Sequence, residues 1–119
     1  MHMAGRVFEE LIKVEGVIGG LLVGRDGLVV QSLMIDEEDA EVLGAMAAST
    51  FDNIARTTER LGIGRLNDSI VSAAEGSLQI REAGELVLVV ICERSVNTGL
   101  VRLAMARAAR RVQENFPDI

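Results

Sequence analysis

The stretch Val17–Leu33, VIGGLLVGRDGLVVQSL, decides the fold. Val17 to Val23 is an apolar run containing two glycines, too short for a helix of its own, and reads as a buried strand. Gly24, Arg25, Asp26 and Gly27 follow, and an Asp-Gly pair between apolar runs signals a tight turn. Leu28 to Leu33 returns as a second strand, so the stretch is a β-hairpin. Gly19 and Gly20 weaken strand packing on their own account and point to a helix lying close against the sheet.

Upstream, Ala4 to Val14 places Val7, Phe8, Leu11 and Ile12 on one helical face, with Arg6, Glu9, Glu10 and Lys13 on the others. This pattern predicts an amphipathic helix of about three turns, ended by Gly16. Downstream, Asp36 suits an N-cap, and Glu37, Glu38 and Asp39 place negative charge on a first helical turn. A long helix is expected from Glu37 to Leu61. Its main apolar stripe is Ala40, Leu43, Met46, Ala47, Phe51, Ile54 and Leu61, and a second stripe of small residues, Gly44, Ala48 and Ala55, lies to one side. Gly62 and Gly64 end it.

Three further strands are expected. Asp68 to Ala74 is the first, and Glu75, Gly76 and Ser77 turn the chain. Leu78 to Glu82 alternates, with Leu78 and Ile80 on one face and Gln79 and Arg81 on a more solvated one. Leu86 to Cys92, LVLVVIC, is the most apolar strand and hence the central one. A last helix runs from about Val96 to Asn115, with Ser95 or Asn97 near its start. Leu100, Leu103, Ala104, Ala108 and Val112 are its buried candidates. The order is α-β-β-α-β-β-β-α, and the five strands can form one largely antiparallel sheet with helices on both faces. One domain, residues 4–116, accounts for the chain, without linker or repeat.

Composition narrows the function. At 119 residues the chain can bury enough surface to fold without disulfide or metal. Aromatics are 3% of it, with no Trp or Tyr, so stacking platforms for single-stranded nucleic acid are missing. A net charge of −6 repels phosphate backbones, so neither nucleic acid nor an anionic membrane is an expected partner. Four arginines cluster near the C-terminus, Arg102, Arg107, Arg110 and Arg111, and read as a solvated helix face near the negative end of the helix dipole. The one cysteine, Cys92, sits in an apolar run and reads as a small buried hydrophobe. No stretch suits membrane insertion or a signal peptide, so a cytoplasmic location is expected.

No catalytic pattern emerges. Lys13 is the only lysine and is followed by Val14, so the chain carries no P-loop. The single histidine, His2, supports neither a nucleophilic triad nor zinc ligation. Acidic pairs such as Glu37 with Asp39 or Glu41 are explained by helix capping. No catalytic residue, metal ligand or cofactor site is therefore expected. The small-residue stripe of the long helix has two readings. It lets two helices approach across a dimer, or it reflects only the helix propensity of alanine. The strand Asp68–Ala74 presents a sheet edge, which pairing with its twin would protect.

The element order, the opening F-x-x-L-I-K-V-x-G-V-x-G-G-L-L-V-x-R-D-G-L-V-V (Phe8–Val30) and N-T-G-L-V-R (Asn97–Arg102) resemble the roadblock/dynein light-chain family over about Val7 to Val112. The resemblance implies a roadblock/profilin-like α/β (α+β) fold: a five-stranded antiparallel sheet, one long helix on one face and two terminal helices on the other. It implies dimers built by pairing third strands and packing middle helices, which places the contact at Gly44, Ala48, Phe51, Ala55, Ile70 and Ser72. MglB-like bacterial and archaeal members regulate Ras-like small GTPases. By that resemblance the partner is such a GTPase, and Ser49, Asp52, Asn53, Arg56 and Arg60 are the residues expected to meet it. An adaptor of the dynein light-chain type, without effect on nucleotide turnover, is an alternative, and a small-ligand sensor is another.

Overall fold

The computed structural model describes residues 7–115. The elements are β1 (Val17–Gly24), β2 (Val29–Leu33), α1 (Glu37–Arg60), β3 (Asp68–Ser72), β4 (Gly76–Ala83), β5 (Leu86–Glu93) and α2 (Thr98–Asn115). The strands form one antiparallel sheet in the order β2-β1-β5-β4-β3, with the most apolar strand, β5, at its centre as expected. The start of the expected first helix and both expected domain bounds, 4 and 116, lie outside the described residues. From Val7 onward the segment coils in helical turns. Ile12 N–H donates to Phe8 C=O at 2.9 Å, and Val14 N–H donates to Leu11 C=O at 3.1 Å.

Two cores sit on the two sheet faces. Val7, Phe8 and Leu11 join α2 residues such as Val101, Met105 and Val112 over Leu22, Leu88 and Val90. On the other face Ala40 and Phe51 of α1 meet Leu21, Val23, Ile80, Val87 and Val89. The long helix thus covers one face, and the terminal segments cover the other. At Gly20 a β-carbon would stand 2.7 Å from Phe8 Cε1, so the glycine lets the N-terminal segment lie on the strand. The hairpin turn closes as its sequence suggests. Asp26 Oδ1 accepts from Leu28 N–H at 3.0 Å, and Gly24 N–H donates to Leu28 C=O at 2.8 Å.

Several expectations need correction. Gly76 and Ser77 belong to β4, because β5 reaches Glu93 and pairs with them, and β3 correspondingly ends at Ser72. Gln79 does not face solvent. It is only 2% exposed beneath α2, where its Nε2 donates to Thr98 C=O at 3.5 Å. In α2, Leu100 and Leu103 are exposed, and Val101, Met105 and Ala109 take the inner face with Ala104, Ala108 and Val112. Asn97 caps that helix through Oδ1, which accepts from Leu100 N–H at 3.1 Å. Asp36 stands at the start of α1 but caps nothing with its side chain; its carbonyl accepts from Ala40 N–H at 2.8 Å. Ile12 is exposed rather than buried.

The largest correction concerns α1. Ala40, Gly44, Ala48 and Phe51 are its buried residues, whereas Leu43, Met46 and Leu61 of the expected inner stripe are exposed. The cause is close approach. A β-carbon on Gly44 would lie 2.8 Å from Val29 Cγ2 and 3.0 Å from Gly27 C=O. The hairpin backbone leaves no room there for a leucine or methionine, so around Gly44 the small residues turn inward and Leu43 and Met46 outward, while Phe51, farther along, stays in the core.

Candidate interaction surface

α1 crosses β1, β2 and β5 and presents its outer side to solvent. Ser49, Asp52, Asn53, Arg56 and Arg60 are all exposed. They recur at intervals of three, four, seven and eleven positions from Ser49, which aligns them in one stripe of the helix. Within the stripe Asp52 and Arg56 form an i,i+4 ion pair at 3.3 Å. Asn53 C=O accepts from Thr57 Oγ1 at 2.8 Å. Arg60 has no ion-pair partner among the described residues. The five residues expected to meet a partner are therefore brought together on one accessible face.

Toward its N-terminus the outer side of α1 becomes apolar. Val42 is 58% exposed and Met46 61%, with Leu43 beside them and Met34, 73% exposed, just before the helix. Met34 has a φ of +56°, a backbone region that side-chain-bearing residues seldom adopt. Met34, Val42 and Leu43, with Asp36 and Asp39, line an open depression of about 440 Å³. This patch was missed at the sequence level because Leu43 and Met46 fitted an inward stripe equally well, and Met34 and Val42 carried no local signal of their own.

The residues expected at a dimer contact divide between two places. Gly44, Ala48 and Phe51 are covered by this chain's own sheet, and Ala55 packs partly against the same core. Ile70 and Ser72 lie on β3, paired with Gln79 and Ser77 on the sheet face where Gln79 meets the start of α2, and both are exposed. Val71 pairs with Leu78, whose side chain packs on the α1 side. On these two elements the exposed large apolar side chains are Val42, Leu43 and Met46 on the helix and Ile70 and Val71 on the strand, where Ser72 is exposed as well.

Ion pairs tie the sheet to its connections. Glu82 on β4 accepts from Arg25 of the hairpin turn and from Arg65 of the α1–β3 loop, each at 2.7 Å. Burial pushes the Glu82 carboxyl up, but the Arg65 and Arg25 hydrogen bonds and charges together outweigh it and hold the group below the usual carboxylate range. The Arg25 guanidinium also lies over the Phe51 ring, 5.0 Å from its centroid. On the opposite face Asp68 accepts from Arg81 at 3.1 Å and from Arg102 at 2.9 Å. These contacts join positions far apart in the chain, and no local sequence signal announces them. Arg107 and Arg110 of the C-terminal cluster are exposed as expected, while Arg111 pairs with Glu10. Burial pushes the Cys92 thiol up, which suits the structural role expected of it.

Among the described residues no group of three or more His, Cys, Asp or Glu side chains could hold a metal ion. No helix among them is long and apolar enough to cross a membrane.

Comparison with known proteins agrees with this architecture. Uncharacterized protein MJ1340 of Methanocaldococcus jannaschii is 40% identical over 114 residues, covering 96% of this chain and all of that protein. The Roadblock/LC7 domain from Streptomyces avermitilis superposes with a TM-score of 0.84 at 20% identity, covering 94% of this chain and 92% of its own. The gliding protein MglB from Thermus thermophilus gives a TM-score of 0.83 at 23% identity, over 94% and 87%. The Roadblock/LC7 domain family model matches residues 3–92, most of the chain. With that match, the antiparallel sheet and its two helical layers, the chain belongs to the Roadblock/LC7 family.

Proposed function

We propose that the chain is a cytoplasmic, non-enzymatic homodimer that binds a Ras-like small GTPase and regulates it. The observation that carries this reading is the outer side of α1, where an exposed apolar patch and an exposed polar stripe share one helix. An apolar patch rimmed by polar residues is the usual form of a protein-binding surface. Self-association would use Val42, Leu43 and Met46 together with the open edge of β3 around Ile70 and Val71. Ser49, Asp52, Asn53, Arg56 and Arg60 would then meet the GTPase.

Regulation would act by reshaping the GTPase's switch loops rather than by an inserted arginine. Arg56 is already engaged by Asp52, and such a pair is a stable helix-surface arrangement. No cofactor is part of this reading. The test measures binding and GTP hydrolysis of a Ras-like GTPase with the wild-type chain and with Arg56→Ala and Arg60→Ala. Stimulated hydrolysis that survives both substitutions, in proportion to binding, supports the reading. Loss of stimulation at unchanged binding would assign arginine chemistry instead. Binding without any change in hydrolysis would favour an adaptor of the dynein light-chain type.

A further inference from the structure

The sheet has a second edge, opposite β3, that neither core covers. β2 ends the sheet there, and its five residues, VVQSL, contain no charge and no proline. Charge and proline are two of the devices by which natural proteins blunt a free edge, and the one irregularity here is the register shift opposite Leu22 and Val23. In an antiparallel pair alternate residues of an edge strand turn their N–H and C=O away from their neighbour, so β2 offers an unpaired ladder. Leu28 and Val30 beside that ladder are 70% and 40% exposed.

Between this edge and α1 runs an open groove of about 790 Å³, the largest of the surface depressions described. Ala40 and Ala45 of α1 form part of its wall, and small side chains there keep it wide. Every charged residue lining it is a carboxylate: Asp26, Glu37 and Glu41. The one cation of the hairpin, Arg25, is directed elsewhere, held by Glu82 and stacked over Phe51. The groove therefore joins three features that specify an occupant: a strand edge, aliphatic contacts and an acidic rim.

We propose that the β2 edge docks an extended segment of a partner protein, alternating aliphatic and basic residues, as a sixth strand of the sheet. The partner's backbone would complete the β2 ladder. Its basic side chains, two residues apart on one face of the added strand, would enter the groove, with their aliphatic stems against its apolar residues and their charges at the carboxylates, while its aliphatic side chains would lie on the opposite face. The proposal concerns a different surface from the α1 stripe and stands independently of the GTPase reading.

The test uses the whole chain and a short blocked peptide of alternating lysine and valine, long enough to span β2. Binding is followed by fluorescence anisotropy, and the docking position by backbone amide exchange. The lysine–valine peptide is expected to bind and to protect amides within residues 28–33 from exchange. A glutamate–valine peptide should not bind. A lysine–valine peptide with proline at the ladder positions should bind about tenfold more weakly or worse, having lost its donors. The doubly substituted Glu37→Gln, Glu41→Gln chain, its fold checked by circular dichroism, should bind the lysine–valine peptide roughly fivefold more weakly. Failure of the lysine–valine peptide to bind, equal binding of the glutamate peptide, or protection confined to other strands would overturn the proposal. So would β2 protection that rises with protein concentration in the absence of peptide, since a second copy would then occupy the edge.

Discussion

Gly44 shows how one residue sets the orientation of a whole helix. Replacing glycine by alanine inside an exposed helix usually stabilises it by up to about 1 kcal/mol. Here the added methyl would meet Val29 Cγ2 at 2.8 Å, Gly27 C=O at 3.0 Å and Val23 Cγ1 at 3.2 Å. The carbonyl belongs to the hairpin backbone and cannot swing aside as a side chain would. Overpacking of this kind costs about 1–3 kcal/mol, so Gly44→Ala is expected to lower unfolding stability by about 1 kcal/mol net. Urea denaturation measures it, and a stabilised variant would mean that α1 does not rest on the hairpin as described. Glu82 gives a second residue-level expectation. Its carboxyl is held below the usual glutamate value of 4.5 in the folded chain. The contribution of the Arg25–Glu82–Arg65 cluster is therefore complete above that value and is lost as pH falls through the lower folded one. Glu82→Gln should reduce the urea midpoint at pH 7, and the difference should shrink as the solution is acidified below pH 4.5. A difference constant with pH would show that the lost contact is not ionic.

At the scale of elements, strands and helices were legible because their signals are local. The Asp26-Gly27 turn, the apolar run at Leu86–Cys92 and the acidic first turn at Glu37–Asp39 each report on neighbours within a few positions. Which face of a helix is buried is not local. Along α1 both Leu43 with Met46 and Gly44 with Ala48 satisfy helical spacing, and only the nearby hairpin backbone decides between them. Gln79 misled in the same way, because α2, almost twenty positions later, covers the face that alternation assigned to solvent. The polar stripe from Ser49 to Arg60 was legible, since charged and amide side chains rarely turn inward without partners. The apolar patch at Met34, Val42 and Met46 was not. If that patch carries self-association, Val42→Glu combined with Met46→Glu should give a monomer whose circular dichroism is unchanged. Substitutions at such exposed sites typically alter stability by about 0.5 kcal/mol or less, so loss of association need not reflect unfolding. An intact dimer in this variant would move the interface elsewhere, with the β3 edge the next surface to test.

For the whole molecule, the sheet separates two jobs. The face beneath α2 and the N-terminal segment holds the larger core, and the α1 face holds a smaller core whose helix turns apolar and polar surface outward. The family relationship explains the architecture, and the exposed side of α1 gives that architecture a place to meet other molecules. The central claim is that this place serves a second copy and a Ras-like GTPase together. Light scattering of the purified chain, alone and with a Ras-like GTPase loaded with GTP or GDP, tests it most directly. The account predicts a species of twice the 12.8 kDa chain mass that gains mass with the GTP-loaded partner and not with the GDP-loaded one. A particle of single-chain mass, unchanged by either form of the GTPase, would contradict it.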